Sequence, residues 1–393
     1  MKKILVLTPR FPFPVIGGDR LRIYKLCEQL AKSYELTLLS LCENEDEMKM
    51  DVDDVVFKEI HRVLLTPFES YVNVALSIPS SKPLQVAYYK SNQFRKKIDE
   101  LYSQHDACLA HLIRVGDYIK DKPGVRILEM TDAISLNYKR VKTVGAKNFR
   151  SIIYSLEQKR LERYEKKMAG HFDLISFVSD VDKNYLYNDE DKAKVYPNGV
   201  DTDYLKFSNR IVDRKQDIYL IFIGNMFSLQ NMDAALSFCK DILPRLNKLE
   251  NKFKFKVIGK IRDSDKRILS DIPNVIVTGS VENVANEALI GHFGICPVRL
   301  GAGVQNKILE YMALGLPCIT TTVGFEGIGA TIDREIFIAN TYDDYNTVLH
   351  KLINNQMLYN DVALNARQFV QENFSWHAKM SPMLNDISKL LGD

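Results

Sequence analysis

The chain alternates strand-like and helix-like segments, and this alternation limits its fold more than any other feature. The apolar run "KILVLTP" is followed by "GGDRLRIYKLCEQLAK", with apolar residues at helical spacing, and then by the strand-like "ELTLLSL". A strand, a helix and a further strand in this order predict a β-α-β unit. Further strands are predicted at "ACLAHLI", "VRILEM" and "LISFVS", with a long charged helix, "SIIYSLEQKRLERYEKKMAG", before the last.

A second block of the same kind begins after "VYPNGVDTDYL". Its predicted strands are "IYLIFIG", "KFKVIG", "VIVTGS", "FGICPV" and "PCITT", and the helix "NMDAALSFCKDILPRL" follows the first of them. Two such blocks in 393 residues predict an α/β protein of two doubly wound, Rossmann-like domains, with the boundary near Pro197. Because ligands of such sheets bind beyond the carboxyl ends of the strands, we expect the two domains to face each other across a deep cleft.

The composition indicates which cellular compartment and which classes of partner to expect. The six cysteines are spread singly without a C-x-x-C pair, which is typical of a reducing compartment and gives no metal-binding pattern. A net charge of +3 is too small to indicate nucleic-acid binding. No apolar run approaches the roughly 18 residues of a membrane span, and the N-terminal segment is predicted to be a strand rather than an export signal. We therefore expect a cytoplasmic, metal-free protein.

One stretch of the sequence concentrates positive charge, although the net charge of the chain is small. Residues 138–150, "YKRVKTVGAKNFR", are rich in Lys and Arg and contain no acidic residue. Such a stretch is either a solvated surface or a patch that rests on anionic phospholipid at the inner face of a membrane. The sequence leaves both interpretations open.

The segment "GAGVQNKILEYMALGLP", residues 301–317, carries the strongest functional signal. At about 100° per residue, a helix starting at Val304 turns one set of side chains to the sheet and a polar set away from it. The set facing the sheet is Val304, Ile308, Tyr311 and Met312, and the polar face is Gly303, Asn306, Lys307 and Glu310. Glycines allow the preceding loop to approach a ligand closely, and the helix start offers open N–H groups to an anion.

The two charges on this polar face suit two different parts of a ligand. Lys307 adds a positive charge one turn into the helix, where a diphosphate would lie. Glu310 is suited to accept two hydrogen bonds from a vicinal diol such as a ribose. Together they indicate a nucleotide; the alternative is a surface ion pair between residues i and i+3, worth about 0.2–0.5 kcal/mol.

Longer segments resemble a known enzyme family. The matching C-terminal segments are "NGVDTDYL", "FIGNMFSLQNMDAALSF", "CPVRLGAGVQNKILEYMALGLPCITTTVGFEGI" and "FSWHAKMSPMLNDISKLL". They are similar to the nucleotide-sugar domain of the retaining glycosyltransferases of family 4, glycosyl transferases group 1, which have the GT-B fold. The opening "TPRFPFPVIGGDRLRIYKLCEQLAKSYELTLLSL" resembles the first domain of the same family.

The resemblance implies a domain organisation and an activity. It implies an acceptor-side domain at 1–196, a nucleotide-sugar domain at 197–373 and a C-terminal helix, 374–393, that crosses back onto the first domain. The implied reaction moves a sugar from a UDP- or GDP-sugar to a hydroxyl of a glycan or glycolipid with retention, in cell-surface polysaccharide synthesis. The nucleotide sugar is then a substrate, and no cofactor or metal is expected.

The resemblance also implies roles for individual residues. Lys307 would hold the donor diphosphate and act in catalysis, and Glu310 would bind the ribose hydroxyls. His111 matches a histidine beside the donor sugar and is the second catalytic candidate; the alternative is a structural histidine at a strand end. The other donor-binding candidates are the glycines before the first helix, the loop after the first strand of the second domain and the glycine-bounded loop: Gly17, Gly18, Gly224, Asn225, Arg299, Gly301, Ala302, Gly303 and Val304.

The chain departs from the family pattern at two places. The stretch "GNMFSLQN" lacks the Arg and Lys that relatives carry there, so phosphate neutralisation would fall on Lys307 with Arg299, while Asn225 could donate a hydrogen bond. Ala302 stands where relatives have the first of two glutamates, so backbone N–H groups would contact the donor sugar there.

Other functional classes have weaker sequence support. A dinucleotide dehydrogenase would need G-x-G-x-x-G after the first strand, and this chain has "TPRFPFPVIGG". The triplet Asp201-Thr202-Asp203 resembles an Asp-x-Asp metal site, but its position after "PNGV" favours turn chemistry. A nucleotide-sugar epimerase of the same two-domain shape and a non-catalytic two-lobed ligand-binding protein remain as alternatives.

Overall fold

The computed structural model describes residues 1–15, 18–144, 149–188, 190–250, 252–299 and 304–392. Contacts between Cα atoms divide the chain into two compact units. The first unit combines residues 1–198 with residues 379–393, and the second comprises residues 199–378. Each unit is a parallel sheet with helices, as the alternation of segments in the sequence predicts.

The first unit is built on a seven-stranded parallel sheet with the order β3-β2-β1-β4-β5-β6-β7. The strand order reverses between β1 and β4, and an open α/β sheet binds ligands at such a point. Its elements in chain order are β1 (Lys3–Thr8), α1 (Gly18–Leu30), β2 (Glu35–Cys42), α2 (Glu45–Lys49), β3 (Glu59–Leu64), α3 (Pro67–Ser77), α4 (Leu84–Tyr88), α5 (Asn92–Tyr102), β4 (Ala107–His111), α6 (Ile113–Gly116), β5 (Val125–Thr131), α7 (Ile134–Val144), α8 (Phe149–Met168), β6 (Leu174–Phe177), α9 (Asp180–Leu186) and β7 (Ala193–Val195).

The second unit is built on a six-stranded parallel sheet with the order β10-β9-β8-β11-β12-β13. Here the order reverses between β8 and β11. Its elements are β8 (Ile218–Ile223), α10 (Leu229–Ser237), α11 (Leu243–Glu250), β9 (Phe253–Ile258), α12 (Asp263–Ser270), β10 (Val275–Val277), α13 (Val284–Ala288), β11 (Phe293–Cys296), α14 (Asn306–Leu314), β12 (Cys318–Thr320), α15 (Thr322–Phe325), β13 (Phe337–Ile338), α16 (Tyr342–Ile353) and α17 (Gln356–Asn373). One turn of π-helix, Phe238–Ile242, joins α10 to α11.

The last helix, α18 (Trp376–Leu391), lies across the division between the units, because residues from 379 onward group with the first unit. Within that unit, the Tyr196 hydroxyl donates a hydrogen bond to Asp386 Oδ2 at 2.5 Å. Lys194 Nζ forms an ion pair with the other oxygen of the same carboxylate at 2.8 Å. The Lys2 amino group donates to the carbonyl of Leu391. These contacts hold the C-terminal part of α18 to the first unit.

The predicted fold class, two doubly wound Rossmann-like α/β domains, is confirmed. All six cysteines are free and buried, as expected for small apolar side chains. Within the described ranges, no helix is both long and apolar enough to cross a membrane.

Candidate active site

The helix α14, which carries Lys307 and Glu310, packs on the second sheet through buried side chains, and one of them, Tyr311, also bonds two strands. Tyr311 is fully buried, and its hydroxyl accepts a hydrogen bond from the Ile223 N–H at 2.8 Å and donates to the Ile295 carbonyl at 3.3 Å. The ring packs on β11 at Gly294, where a Cβ atom would lie 2.2 Å from Tyr311 Cγ. Only glycine permits this approach, so α14 lies against the two strands that flank the reversal of strand order.

The helix begins two residues later than the sequence predicts. Gln305 is the N-cap residue and Asn306 the first helical residue, so the expected start at Val304 is wrong. Val304 is 41% exposed and does not face the sheet, whereas Ile308 and Met312 are fully buried as predicted. The reason is the backbone of Gln305, whose φ of −86° and ψ of 100° are extended rather than helical. No side chain of the described residues caps this end: the Ile308 N–H bonds the Gln305 carbonyl at 2.9 Å, and the N–H groups of Asn306 and Lys307 lie ahead of it at the helix start.

Lys307 and Glu310 do not form the ion pair that their spacing permits. In the described part of the chain, Lys307 Nζ donates a single hydrogen bond, to Gln305 Oε1 at 3.0 Å, and lies 5.8 Å from the centre of the Phe222 ring. Burial raises the pKa of the Glu310 carboxyl to about 7, and the nearby Lys307 charge opposes this only in part. Both charges therefore remain available to a bound molecule.

The loop after β8 brings two backbones into contact beside α14. Gly224 follows β8, and its N–H donates to the Ile258 carbonyl at 3.0 Å. Gly259 follows β9 with φ of +137°, and a Cβ atom there would lie 2.0 Å from the Gly224 oxygen. Asn225 is exposed; its side-chain oxygen accepts from the Phe227 N–H at 3.1 Å. Since the side-chain oxygen already accepts this hydrogen bond, the side-chain NH₂ group is the part of Asn225 that can donate to a ligand.

Arg299 already has a carboxylate partner. Its Nη2 and Nε atoms donate to the two carboxylate oxygens of Asp233, on α10, at 2.8 and 3.2 Å. The side chain is 53% exposed. Arg299 therefore reaches a phosphate only by sharing or giving up this bidentate pair, and Lys307 is the less encumbered cation.

Asp201 has the turn role predicted for it. One carboxylate oxygen accepts hydrogen bonds from the N–H groups of Asp203, at 3.2 Å, and Tyr204, at 2.9 Å. This arrangement is an Asx turn, in which the side chain mimics a backbone carbonyl. No group of three or more His, Cys, Asp or Glu that could hold a metal ion is found among the residues that the structure describes.

In the first unit, His111 belongs to a buried charge network at the strand-order reversal. The Nδ1 atom of His111 lies 2.6 Å from Glu129 Oε2, and Arg22 Nε lies 2.6 Å from Glu129 Oε1. All three residues are at most 2% exposed. Burial favours a raised pKa for Glu129, but Arg22 and His111 outweigh it and lower the pKa to about 2. Arg22 Nη1 also donates to Asn198 Oδ1 at 2.8 Å.

The network leaves two polar atoms open. His111 Nε2 and Arg22 Nη2 are buried and have no hydrogen-bond partner among the described residues. Thr131, with φ of 64°, donates its hydroxyl to the Glu129 carboxylate. Sequence reasoning missed Arg22 and Glu129. The only local signals were an arginine on the buried face of α1 and a glutamate within the buried run 127–130 of β5.

Several predicted donor-binding residues lie outside the described part of the chain. They are Gly17, Gly301, Ala302 and Gly303. Gly18 is described; it is the first residue of α1, with φ of +54°, and among the described residues beyond its neighbours and its own helix backbone no atom lies within 4 Å of a Cβ built on it. Gly224, Asn225, Arg299, Val304, Lys307 and Glu310 all belong to the second unit, and His111 belongs to the first.

Two doubly wound parallel-sheet domains of this kind are found in proteins of the GT-B fold. Residues 217–355, within the second unit, match the family model described as Glycosyl transferases group 1. The match and the fold together support a glycosyltransferase of the GT-B fold.

One relative matches nearly the whole chain in sequence, and several solved structures match it in fold. An uncharacterized 44.6 kDa protein of the cps region of Klebsiella pneumoniae is 23% identical, covering 95% of this chain and 97% of the relative. Sucrose-phosphate synthase from Thermosynechococcus elongatus aligns with a TM-score of 0.62 at 12% identity, covering 100% of both chains. The Anabaena protein HepE, solved with UDP-glucose, aligns with a TM-score of 0.58 at 12% identity, over 99% of this chain and 100% of HepE. At these identities the structural likeness shows the fold.

Proposed function

We propose that the protein transfers a sugar from a nucleoside-diphosphate sugar, UDP- or GDP-linked, to a hydroxyl of a glycan or glycolipid, with retention at the anomeric carbon. The observation that carries this proposal is the polar face of α14. Lys307 and Glu310 lie one turn apart and unpaired with each other, next to an open helix N-terminus at the strand-order reversal. A nucleoside diphosphate matches all three features: its diphosphate suits Lys307 and the helix N-terminus, and its ribose suits Glu310.

The donor binds through complementary charges. The diphosphate lies at the N-terminus of α14, where Lys307 and the first N–H groups neutralise it without a metal ion. The ribose hydroxyls donate to the ionised Glu310 carboxylate. Asn225 adds an amide donor in place of the charged residues found in relatives. His111, fixed by Glu129 through Nδ1, is proposed as a catalytic residue beside the transferred sugar, with Nε2 as its free hydrogen-bonding atom.

The reaction exchanges one bond of the anomeric carbon for another. The bond from this carbon to the diphosphate oxygen breaks, and a bond to the acceptor oxygen forms. A proton passes from the acceptor hydroxyl to an oxygen of the departing diphosphate, which keeps the bonding electron pair. Lys307 and the N-terminus of α14 stabilise the growing negative charge, and such preorganised stabilisation is often the largest contribution to catalysis.

The proposal places the enzyme in cell-surface polysaccharide synthesis. The relative from Klebsiella pneumoniae is described as lying in a cps region. A solved structure that aligns with a TM-score of 0.55, WaaG, is a glycosyltransferase involved in lipopolysaccharide biosynthesis. HepE was solved with UDP and with UDP-glucose, which supports UDP-sugars as the first donors to test.

The test is a mass-spectrometric screen of nucleotide sugars with and without glycan and glycolipid acceptors. We expect an acceptor-dependent mass gain and release of the nucleoside diphosphate. Lys307→Ala should lower turnover by about a hundredfold, because the charge partner of the leaving group is lost. The matched control is Lys351→Ala, since Lys351 also lies over a phenylalanine ring of the second unit, at 5.4 Å. Equal activity of the two variants would remove Lys307 from the mechanism.

The same screen separates the alternatives. A nucleotide sugar that changes its retention time at constant mass, without any acceptor, would indicate an epimerase. Binding of a nucleotide sugar with neither product would indicate a ligand-binding protein. Either outcome contradicts the proposed transfer.

A further inference from the structure

Helix α3 in the first unit exposes its apolar side chains and buries a polar one. Phe68, Tyr71, Val72 and Leu76 are 77%, 66%, 41% and 74% exposed. At 100° per residue they fall within an arc of about 140° on one side of the helix. The only buried residue of α3 is Ser70, on the opposite side. This is the reverse of the usual arrangement for a helix on the surface of a soluble domain.

Local polar contacts hold this apolar face outward. Thr66 and Glu69 form a capping box at the start of α3, with Pro67 as the first helical residue. Asn73 Nδ2 donates to the Lys90 carbonyl at 2.8 Å, and the Tyr71 ring packs edge-on against Tyr88 at 5.8 Å. The helix is therefore held by its polar side, by the Tyr71–Tyr88 contact and by Val74, which is partly buried and lines a cavity with Tyr88 and Tyr89. A contiguous exposed apolar patch of this kind marks an interaction surface.

A basic cavity begins where α3 ends. Ile78, just beyond the helix and 57% exposed, accepts a hydrogen bond at its carbonyl from Arg160 Nη2 at 2.9 Å. Arg160 is one of the residues that line a cavity of about 640 Å³. The charged lining residues are five cations and two carboxylates, a net charge of +3 with His171 neutral: Lys82, Lys120, Arg160, Arg163, Lys167, Asp117 and Asp121.

The cations of this cavity are only partly neutralised. Lys82 and Lys120 both form ion pairs with Asp117, at 2.6 and 2.7 Å. Arg163 and Lys167, on α8, are exposed, and their side chains form no ion pair or hydrogen bond with any residue that the structure describes. An apolar helix face thus adjoins a positive surface that lacks its counter-charge.

We propose that the apolar face of α3, together with the basic cavity beside it, is a docking surface for a membrane that contains anionic phospholipid. An 11-residue helix is about 16 Å long, too short to cross a bilayer, but it suits burial in the plane of the interface. The apolar side chains enter the acyl boundary while the cations meet lipid phosphates. A second copy of the chain is the weaker fit, because a two-fold contact here would place two basic cavities side by side.

This surface is distinct from the proposed donor site, which lies in the second unit, and it shares no residue with the basic stretch 138–150. Vesicle binding requires no donor, acceptor or turnover. Failure of the docking proposal can therefore be told apart from failure of the proposed transferase function.

The experiment is flotation of the full chain with vesicles of phosphatidylcholine alone and of phosphatidylcholine mixed with phosphatidylglycerol. We expect binding to the anionic vesicles that weakens with salt. Phe68→Ser/Leu76→Ser should lower the partition coefficient by about tenfold or more, because two apolar side chains no longer enter the bilayer. The matched control is Met357→Ser/Leu364→Ser, which changes two exposed apolar residues of α17 in the second unit, 74% and 52% exposed.

A charge pair tests the cavity in the same assay. Arg163→Glu/Lys167→Glu should reduce binding to anionic vesicles by more than about tenfold, while the exposed pair Arg214→Glu/Lys215→Glu in the second unit should have a smaller effect. Far-UV circular dichroism and melting verify that each variant is folded.

Four results would overturn the proposal. The first is no binding to anionic vesicles. The second is binding that neither Phe68→Ser/Leu76→Ser nor Arg163→Glu/Lys167→Glu changes. The third is a loss of binding only in Lys142→Glu/Lys147→Glu, which would move the lipid contact to the stretch 138–150. A dimer that Phe68→Ser/Leu76→Ser disrupts, seen by light scattering without lipid, would instead assign the apolar face to a second copy.

Discussion

Lys307 and Glu310 lie one helical turn apart without an ion pair, although opposite charges at this spacing commonly attract each other. Burial disfavours the ionised form of Glu310 and raises the pKa of its carboxyl from 4.5 to about 7. The folded protein therefore binds a proton at Glu310 between these pH values, whereas the unfolded chain does not. Stability contributed by this group falls as the pH rises through this interval.

Glu310→Gln should separate stability from donor binding. Above pH 7 the free energy of unfolding of the variant should exceed that of the native protein by up to about 3 kcal/mol. Below pH 4.5 this difference should vanish. Donor affinity should fall, because the neutral amide accepts ribose hydrogen bonds less strongly. Urea unfolding at several pH values and donor titration by calorimetry measure the two effects. An exposed control, Glu372→Gln, should change neither quantity; a Glu310 variant that behaves in the same way would contradict the assignment.

Glu129 in the first unit shows the opposite electrostatic behaviour. Arg22 and His111 hold its pKa at about 2 despite burial, so its ionised form stabilises the fold above pH 4.5 and this contribution is lost as the pH falls towards 2. Glu129→Gln should therefore cost about 3–5 kcal/mol at neutral pH, because Arg22 is left buried without its counter-charge. Thermal and urea unfolding measure the loss.

A second buried glutamate of the same unit provides the control. Glu165 accepts hydrogen bonds from the N–H groups of Ile134 and Ser135, and burial raises its pKa to about 7. Since its folded pKa lies above the ordinary value of 4.5, Glu165→Gln should become less harmful as the pH rises to 8, while Glu129→Gln should stay harmful. Parallel pH dependences of the two variants would show that the charge network is not what stabilises Glu129.

Apolar patterns in the sequence predicted most of the strands of both sheets, because each central strand is a short, nearly continuous apolar run. Three strands were missed for identifiable reasons. The edge strand β3 mixes charged and apolar residues, and β7 and β13 have only three and two residues. Their strand conformation depends on pairing with a neighbour already in the sheet, which is a tertiary effect.

The candidate site was predictable only where its residues are close in sequence. Lys307 and Glu310 share one helix, so helical periodicity alone placed them on one face. The Arg22–Glu129 ion pair joins residues that are 107 positions apart in the chain, and the pairing depends on β1, β4 and β5 being neighbours in the sheet. No local pattern contains that information. The start of α14 was placed two residues early because a cap depends on backbone angles that apolar spacing does not specify.

Helix α18 allows a prediction about the stability of the first unit. Met380, Met383 and Ile387 are fully buried, and Asp386 bonds Tyr196 and Lys194. A chain that ends at Ala378 should therefore lose protection in residues 1–198, beginning at β7, because this strand carries Lys194. Hydrogen exchange followed by mass spectrometry measures protection segment by segment. The control is a chain that ends at Lys389, which keeps all these contacts. Unchanged exchange in the first unit of the shorter chain would refute this role of α18.

At the scale of the whole molecule, the two units share one design although their sequences differ. In each sheet the strand order reverses after the first strand of the unit, between β1 and β4 and between β8 and β11. In each unit the residues of functional interest lie at that reversal: the Arg22–Glu129–His111 network in one, and α14 with Gly224 in the other. The sheet topology thus determines where in each unit the candidate site lies. The side chains at each reversal of strand order determine what that unit can bind.

The last prediction concerns the whole enzyme: donor turnover should survive excess EDTA. A metal-dependent transferase neutralises the leaving diphosphate with a cation held by carboxylates, whereas Lys307 and the open N-terminus of α14 can supply positive charge directly. One Asp201 carboxylate oxygen, Oδ1, accepts hydrogen bonds from the Asp203 and Tyr204 N–H groups and so serves the turn. Asp201→Ala should therefore lower stability by about 1 kcal/mol and leave turnover independent of manganese or magnesium. Activity that disappears with EDTA, returns with either cation and is absent from an Asp201→Ala/Asp203→Ala variant would overturn the metal-free mechanism and the donor site built on Lys307.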